Sequence, residues 1–119
     1  MTVTASIVKA GIARSYGVLA SYLTIGNGYV DVGVVDTGAF KTVKFRFTAT
    51  TNNLKVTILG SLDGGVTYPE DAEAEFTITA GTPVLKTITS YWTHLKAEVK
   101  PAGAGAHGTL ATWWAGVSV

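Results

Sequence analysis

One eight-residue stretch, SLDGGVTY over residues 61–68, constrains the fold more than any other part of the chain. The Asp carboxylate can accept hydrogen bonds from backbone N–H groups of its own turn, and the two glycines can take the positive φ angles that such a turn needs. The flanking hydroxyls bracket the turn, and the Tyr ring can pack back across it. The stretch therefore predicts a tight β-hairpin in an all-β protein, an architecture and not a reaction. The predicted structural turn consists of Ser61, Asp63, Gly64, Gly65, Thr67 and Tyr68.

The same turn resembles the Asp-box of sialidases and other β-proteins, Ser-x-Asp-x-Gly-x-Thr followed by an aromatic residue, with Tyr68 where Trp is usual. Sialidase activity is nevertheless excluded. Those enzymes are similar to this chain only in the turn. They bind the carboxylate of the substrate with three arginines, and their fold is a much larger propeller with several Asp-boxes. This chain has one box and two arginines, Arg14 and Arg46.

Alternation of apolar and polar residues predicts the strands in the centre of the chain. The runs 43–48 and 54–58 both place an apolar residue at every second position, and residues 50–53 between them read as a turn. We expect these two runs to pair as a hairpin. After an acidic loop, residues 76–79 read as a short strand, and residues 95–100 alternate again.

Short Thr- and Val-rich strands separated by Gly-rich turns predict an antiparallel β-sandwich or jelly roll. The sandwich domain is expected over residues 28–119. Residues 1–27 are ambiguous, because apolar spacing fits a helical face while two glycines and the β-branched residues favour extension. We interpret this segment as an extended N-terminal arm or a first strand.

The composition favours a subunit of an assembly. Charged residues make up only 14% of the chain, against roughly 25% in ordinary soluble domains. A small domain with so few charges exposes much neutral surface, which usually contacts other chains. Residues 1–60 are basic and residues 61–119 are acidic. The favoured interpretation of that polarity is solubility alone, and the alternatives are head-to-tail contact between subunits or docking of one pole on an acidic partner.

The sequence contains no strong pattern of catalytic or metal-binding residues. The acidic cluster around Glu70 and Asp71 lacks an apolar pocket that would raise the pKa of one carboxyl, so we interpret it as a solvated loop. A calcium site using Asp63 and Asp71 is the less favoured alternative. His94 and His107 lie far apart without a third ligand. We therefore predict no catalytic residue, no metal and no cofactor. Scattered basic residues also argue against nucleic-acid binding.

Aromatic residues supply the candidate interface. Trp113 and Trp114 are neighbours on the predicted last strand, so they point to opposite faces and only one of them enters the core. The other is available for a subunit contact or for stacking on a sugar. The predicted interface residues are Trp92, Trp113, Trp114, Tyr16 and Leu19.

Several segments together resemble small β-sandwich proteins from the virions of tailed bacteriophages. The resemblance covers about residues 28–119, leaves residues 1–27 outside, and rests on the runs VDVG (30–33), FKTVKFRF (40–47), LKVTILGSLDGGVTY (54–68), FTITAGT (76–82), LKAEVK (95–100) and GAHGT (105–109). It implies a capsid decoration protein, or a tail or fibre module. Decoration proteins of this kind often form trimers that bridge capsid subunits, and no catalytic residues come with the family.

Two hypotheses follow. The first is a non-enzymatic virion protein that forms a homo-oligomer, with a trimer favoured, and that binds the major capsid protein or another virion protein. The second is a carbohydrate-binding β-sandwich for adhesion or receptor binding. No signal peptide or membrane-spanning run is visible, so we expect synthesis in the host cytoplasm, a final location in the virion and no membrane partner.

Overall fold

The computed structural model describes residues 3–9, 12–25, 30–37, 40–89, 92–103 and 108–118. Within these ranges the chain forms nine β-strands, and no helix there could cross a membrane. In chain order the strands are β1 (Val3–Lys9), β2 (Ile12–Ile25), β3 (Val30–Asp36), β4 (Thr42–Ala49), β5 (Leu54–Ser61), β6 (Glu70–Ile78), β7 (Val84–Thr89), β8 (His94–Pro101) and β9 (Gly108–Val117).

The strands form two antiparallel sheets that pack against each other as a β-sandwich, which confirms the predicted fold class. The five-stranded sheet has the order β1-β2-β9-β4-β7, and the four-stranded sheet has the order β3-β8-β5-β6. Among the described strands, only β1–β2 and β5–β6 are consecutive in the chain and paired in one sheet. Most connections therefore cross from one sheet to the other.

The core lies between the two sheets and is built by the alternation read from the sequence. Phe45 and Phe47 of β4 are fully buried and stack on each other at 5.8 Å between ring centroids. Phe76 of β6 meets Phe47 edge-on at 5.6 Å. Each fully buried large apolar side chain contributes about 1.5–3 kcal/mol to folding. The inward residues of β5 and β8 are also fully buried: Leu54, Val56, Ile58, Leu95, Ala97 and Val99.

A close approach of a ring to the backbone closes one end of the core. Trp92, which is 8% exposed, packs on Gly60 of β5. A Cβ atom at Gly60 would lie only 2.3 Å from Cε3 of the indole. A glycine is required here because any side chain would occupy the space that the ring fills.

The predicted hairpin between the two central runs is wrong. β4 pairs with β7 and β9, whereas β5 pairs with β6 and β8, so the two strands lie in different sheets. Residues 50–53 carry the chain across the sandwich, and the Asn53 side chain accepts a hydrogen bond from the Ala80 N–H at 3.0 Å. A turn signal between two alternating runs indicates a chain reversal, but it does not indicate which strands will pair.

The predicted acidic loop is also wrong in its extent, because β6 begins at Glu70 and includes the whole acidic segment. β6 is an edge strand of its sheet. Glu70, Asp71, Ala74 and Glu75 are all exposed, so the segment lacks the regular alternation by which a half-buried strand is recognised.

The described parts of the N-terminal segment, Val3–Lys9 and Ile12–Ile25, are extended and belong to a sheet. β1 pairs with β2, and β2 pairs in turn with β9. The backbone therefore follows the strand interpretation and not the helical one. The predicted boundary between residues 27 and 28 lies outside the described residues.

Candidate functional site

The turn at residues 61–68 is organised around the Asp63 carboxylate. Its Oδ1 accepts hydrogen bonds from the backbone N–H groups of Val66 at 3.2 Å and Thr67 at 2.9 Å. Its Oδ2 accepts a hydrogen bond from the Thr67 hydroxyl at 2.6 Å. These bonds fix the backbone that leads from β5 towards β6, and β5 and β6 pair as an antiparallel hairpin.

Ser61 forms the buried base of the turn. Its hydroxyl donates to Oδ1 of Asp63 at 2.7 Å and accepts the backbone N–H of Gly65 at 2.9 Å. The Thr93 hydroxyl donates to the Ser61 carbonyl at 3.1 Å and accepts the Gly64 N–H at 3.0 Å. The turn is therefore tied to the connection that precedes β8.

Both turn glycines have a left-handed backbone, with φ of 79° at Gly64 and 86° at Gly65. A residue with a Cβ atom adopts this region only with strain. The Tyr68 hydroxyl lies close to Gly65, 3.3 Å from where a Cβ atom would stand, and the Lys96 ammonium lies 4.5 Å from the centre of the Tyr68 ring. The aromatic residue thus folds back over the turn.

The hydrogen bonds that the Asp63 carboxylate accepts give it a structural role in the turn. The bond from the Thr67 hydroxyl, followed by the Thr67 N–H and the Ser61 hydroxyl, lowers the pKa of Asp63 well below its usual range. A carboxylate with such a low pKa stays ionised at neutral pH and cannot serve as a general acid there.

The five residues predicted to form an interface separate into core and surface groups. Trp92 and Trp114 are each 8% exposed and belong to the core, and the half-buried Leu19 packs against it. Tyr16 is 50% exposed, and Trp113 points away from the core. Of this set, Tyr16 and Trp113 are the residues available to a partner of the folded chain.

Tyr16 and Trp113 lie on the outer surface of the five-stranded sheet, where two rows of side chains cross strands β2, β9, β4 and β7. Directly opposed residues share a face of a sheet, so the register defines the rows. The first row runs Val18, Trp113, Arg46, Leu85, and the second runs Tyr16, Ala115, Lys44, Thr87. These eight residues are called the aromatic–cationic face.

The aromatic–cationic face combines exposed apolar groups with positive charge. Leu85 is 59% exposed and Val18 is 37% exposed. The Arg46 guanidinium lies over the Trp113 ring, 5.2 Å from its centroid, in a cation–π contact. Beside them is an open groove of about 590 Å³, lined in part by Tyr16, Lys44 and Thr87. The face can therefore offer stacking, apolar contact and charge to one partner.

Ion pairs cover the outer face of the four-stranded sheet instead. Lys96 lies 3.7 Å from Asp31 and 3.8 Å from Glu98, so one ammonium serves two carboxylates. Partial burial and, second, the neighbouring Asp31 raise the pKa of Glu98. Glu75 likewise lies 3.6 Å from Lys100 and 3.9 Å from Lys55. Partly exposed pairs of this kind contribute little to stability, and they offset only part of the acidic charge of this sheet.

The two sheets carry opposite net charge. The strands of the five-stranded sheet contain five Lys or Arg residues and no Asp or Glu. The strands of the four-stranded sheet contain three Lys and seven Asp or Glu residues, and Asp63 in the 61–68 turn adds the eighth acid of the chain. This division of charge differs from the one along the chain, because β3 and β5 of the basic first half lie in the acidic sheet, while β7 and β9 of the acidic second half lie in the basic sheet.

Within the described ranges, no group of three or more His, Asp or Glu side chains is arranged to hold a metal ion. The alternative calcium site was predicted to use Asp63 and Asp71. The Asp63 carboxylate accepts hydrogen bonds from residues of its own turn, whereas Asp71 lies on β6. His94 lies 3.9 Å from Asp36. His107 lies outside the described residues.

Lys44, Arg46 and Leu85 were missed as candidate surface residues. Arg46 and Trp113 are 67 positions apart in the sequence and become neighbours only through the pairing of β4 with β9. The available signal was weak: Lys44 and Arg46 occupy the outward positions of an alternating strand, which marks them as exposed but does not indicate what lies beside them.

Similar folds occur in solved structures of proteins from pili and virus particles. A protein of Bacillus endospore appendages, described as disulfide-linked pili, has a TM-score of 0.54 at 11% identity, and the match covers 100% of this chain and 96% of that one. VP2 of the infectious bursal disease virus subviral particle has a TM-score of 0.60 at 15% identity, with 92% of this chain and 33% of VP2 covered.

A structure of T=1 particles derived from the same virus has a TM-score of 0.59 at 16% identity and covers 92% of this chain and 32% of that chain. Identities this low establish a shared fold alone. The chain spans about a third of the viral proteins, and it has no Cys with which to form the disulfides of the pili. No protein-family model and no curated protein matches the sequence.

Proposed function

We propose that the chain is a non-enzymatic structural subunit of a virion, a decoration protein that self-associates on a shell. The observation that carries this proposal is the aromatic–cationic face. Tyr16, Val18 and Leu85 expose apolar surface there beside Trp113, on the side of the sheet that points away from the core. Exposed apolar clusters of this kind mark contacts with other chains.

The polar chemistry of the chain supports a structural role. The most perturbed carboxylate, Asp63, is engaged by its own turn, and four of the seven acids on the strands of the four-stranded sheet form ion pairs with lysines. The likeness to capsid and pilus proteins supports the proposal at the level of architecture.

The finer parts of the proposal come from the sequence resemblance to phage virion proteins. They are a homo-oligomer with a trimer favoured, the major capsid protein or another virion protein as the second partner, and a location in the virion after synthesis in the host cytoplasm. In this arrangement the aromatic–cationic face is buried, and the ion-paired face of the four-stranded sheet remains solvated.

Self-association is tested by measuring the mass of the full chain by light scattering over a range of concentrations. We expect an oligomer of defined size that dissociates when Trp113 is replaced, Trp113→Ala. The matched control is Leu62→Ala, which removes a 55% exposed apolar side chain from the 61–68 turn. A wild-type chain that stays monomeric, or a Trp113 variant that keeps the full mass, contradicts the proposal.

A second candidate function, carbohydrate binding, is favoured by the groove beside Tyr16. An exposed aromatic ring next to hydroxyl and ammonium groups is the arrangement that sugar sites use, and Tyr16, Thr87 and Lys44 provide it. Binding to an oligosaccharide array tests this function. Retained glycans that are lost with Tyr16→Ala, but not with Leu62→Ala, would support it, and an array without any binding would contradict it.

A further inference from the structure

The positive charges of the aromatic–cationic face lack acidic neighbours. Lys44 and Arg46 are exposed on β4, and within the described part of the chain no Asp or Glu forms an ion pair with either of them. Arg46 contacts the Trp113 ring instead. Apolar surface flanked by unpaired cations is suited to a partner that presents carboxylates.

The chain itself presents such carboxylates at the start of β6. Glu70 and Asp71 are exposed, and no described Lys or Arg forms an ion pair with them. By contrast, Glu73 lies 3.5 Å from Lys86 and Glu75 lies 3.6 Å from Lys100. Glu70 and Asp71 are called the acidic edge, because β6 is the outermost strand of the four-stranded sheet.

We infer that the aromatic–cationic face of one copy binds the acidic edge of a second copy. The inference rests on the self-association proposed above and names the two surfaces that meet. Lys44 and Arg46 lie against Glu70 and Asp71 of the neighbour, and the exposed apolar groups around Trp113 cover the edge strand. An uncovered edge strand is a natural site for contact with another chain.

The two surfaces differ, so the contact is head to tail. Every copy offers its face to one neighbour and its edge to another. A contact of this type closes into a ring where the rotation between subunits permits it, and a trimer is one such ring. The aromatic–cationic face is basic and the acidic edge is acidic, so substitutions can reverse the charge of each surface independently.

Charge reversal on the full chain, followed by sedimentation velocity, tests the inference. Lys44→Glu with Arg46→Glu makes the face acidic, and Glu70→Lys with Asp71→Lys makes the edge basic. We expect each double variant alone to raise the dissociation constant more than about 100-fold, since like charges then meet at the contact. We expect the quadruple variant to recover the wild-type mass, because its charges are complementary again.

The quadruple variant is the matched control, since it has the wild-type net charge of +1 and carries all four substitutions. An equal mixture of the two double variants provides a further check, because their contacts are attractive only between unlike copies. The mixture should form hetero-pairs and even-numbered assemblies, whereas a three-membered ring, which would contain one contact between like copies, should not close. Circular dichroism establishes that each variant is folded. If a double variant does not fold, the wild-type chain in rising NaCl is decisive, since screening must weaken this contact.

The outcomes separate the inference from the proposed function. A wild-type chain that remains monomeric overturns both. An oligomer whose mass is unchanged by either double variant and by salt overturns the inference and leaves self-association intact. Loss of association in both double variants with recovery in the quadruple variant supports it, and loss without recovery overturns it.

Discussion

The backbone N–H and the hydroxyl of Thr67 both donate hydrogen bonds to the Asp63 carboxylate, to Oδ1 at 2.9 Å and to Oδ2 at 2.6 Å. Thr67 thereby donates a hydrogen bond to each carboxylate oxygen of Asp63. The pair closes the turn that joins β5 to β6, and it stabilises the ionised form of the acid in the folded state alone.

Acid should therefore weaken this turn. The Thr67 hydroxyl bond is the main cause that lowers the pKa of Asp63 below the value of about 4 that an unfolded chain has. The stabilising contribution is fully present above about pH 4 and is lost as the pH falls towards the lower folded-state pKa. Urea unfolding between pH 5 and pH 2 should show a loss of stability that is smaller in Asp63→Asn than in the wild-type chain.

At neutral pH the same variant should have a lower Tm, by roughly 5 °C, because the amide loses the charge that strengthens the bonds from Thr67. Asp71→Asn is the control, since Asp71 is exposed and unpaired among the described residues. Equal Tm values for the two variants, or an unchanged acid response in Asp63→Asn, would show that the turn does not depend on the ionised carboxylate.

A methyl group at Gly60 should destabilise the chain by about 1–3 kcal/mol. In Gly60→Ala the new Cβ would lie 2.3 Å from Cε3 and 2.4 Å from Cδ2 of the Trp92 ring, which has no free end to move. The control is Gly33→Ala, whose Cβ would meet the tip of the Leu19 side chain at 2.9 Å, where a rotation relieves the contact. Denaturant unfolding that ranks the two variants equally would contradict the tight packing at Gly60.

The two neighbouring tryptophans of β9 should separate stability from association. Trp114→Ala should lower the free energy of unfolding by about 3–5 kcal/mol, since it empties a core position next to Phe40, whose ring lies 6.0 Å away. Trp113→Ala should cost about 1 kcal/mol or less, because it removes an outward ring and the Arg46 contact. Urea unfolding measures the first effect and sedimentation the second, and a reversed ranking would refute the assignment of faces.

Thr112→Val should stabilise the chain by about 1 kcal/mol. Thr112 is fully buried on β9, and its hydroxyl has no hydrogen-bond partner among the described residues. Valine keeps the shape and removes the unsatisfied group. Thr87→Val, an exposed position on the outer face, should change the thermal midpoint little. A destabilised Thr112 variant would mean that the hydroxyl has a partner in solution.

The strands with strict alternation could be predicted from sequence because burial on one face leaves a period of two. Phe45 and Phe47 are fully buried while Lys44 and Arg46 are exposed, as the pattern indicates. Strand pairing could not be predicted in this way. The contact of Arg46 with Trp113 depends on β9 lying beside β4, and local sequence carries no information on that choice.

Which of the aromatic residues face outward could be predicted only in part, for the same reason. Alternation requires that one of Trp113 and Trp114 be buried, but only the pairing of Trp114 with the inward Phe45 decides which one. Trp92 was predicted to lie at an interface because the low charge of the chain favours contacts with partners and aromatic residues are common in such contacts. The Trp92 ring is buried over Gly60 because this residue of β5 has no side chain, and the local sequence around Trp92 does not indicate that contact.

The position of β9 in the five-stranded sheet bears on how the protein is made. β9 lies between β2 and β4, and it is the last of the nine described strands to leave the ribosome. Until it emerges, β1 with β2 and β4 with β7 are two separate pairs with unsatisfied edges. Folding must therefore finish after synthesis of this segment, and the nascent chain has open strand edges at which newly made copies can pair wrongly.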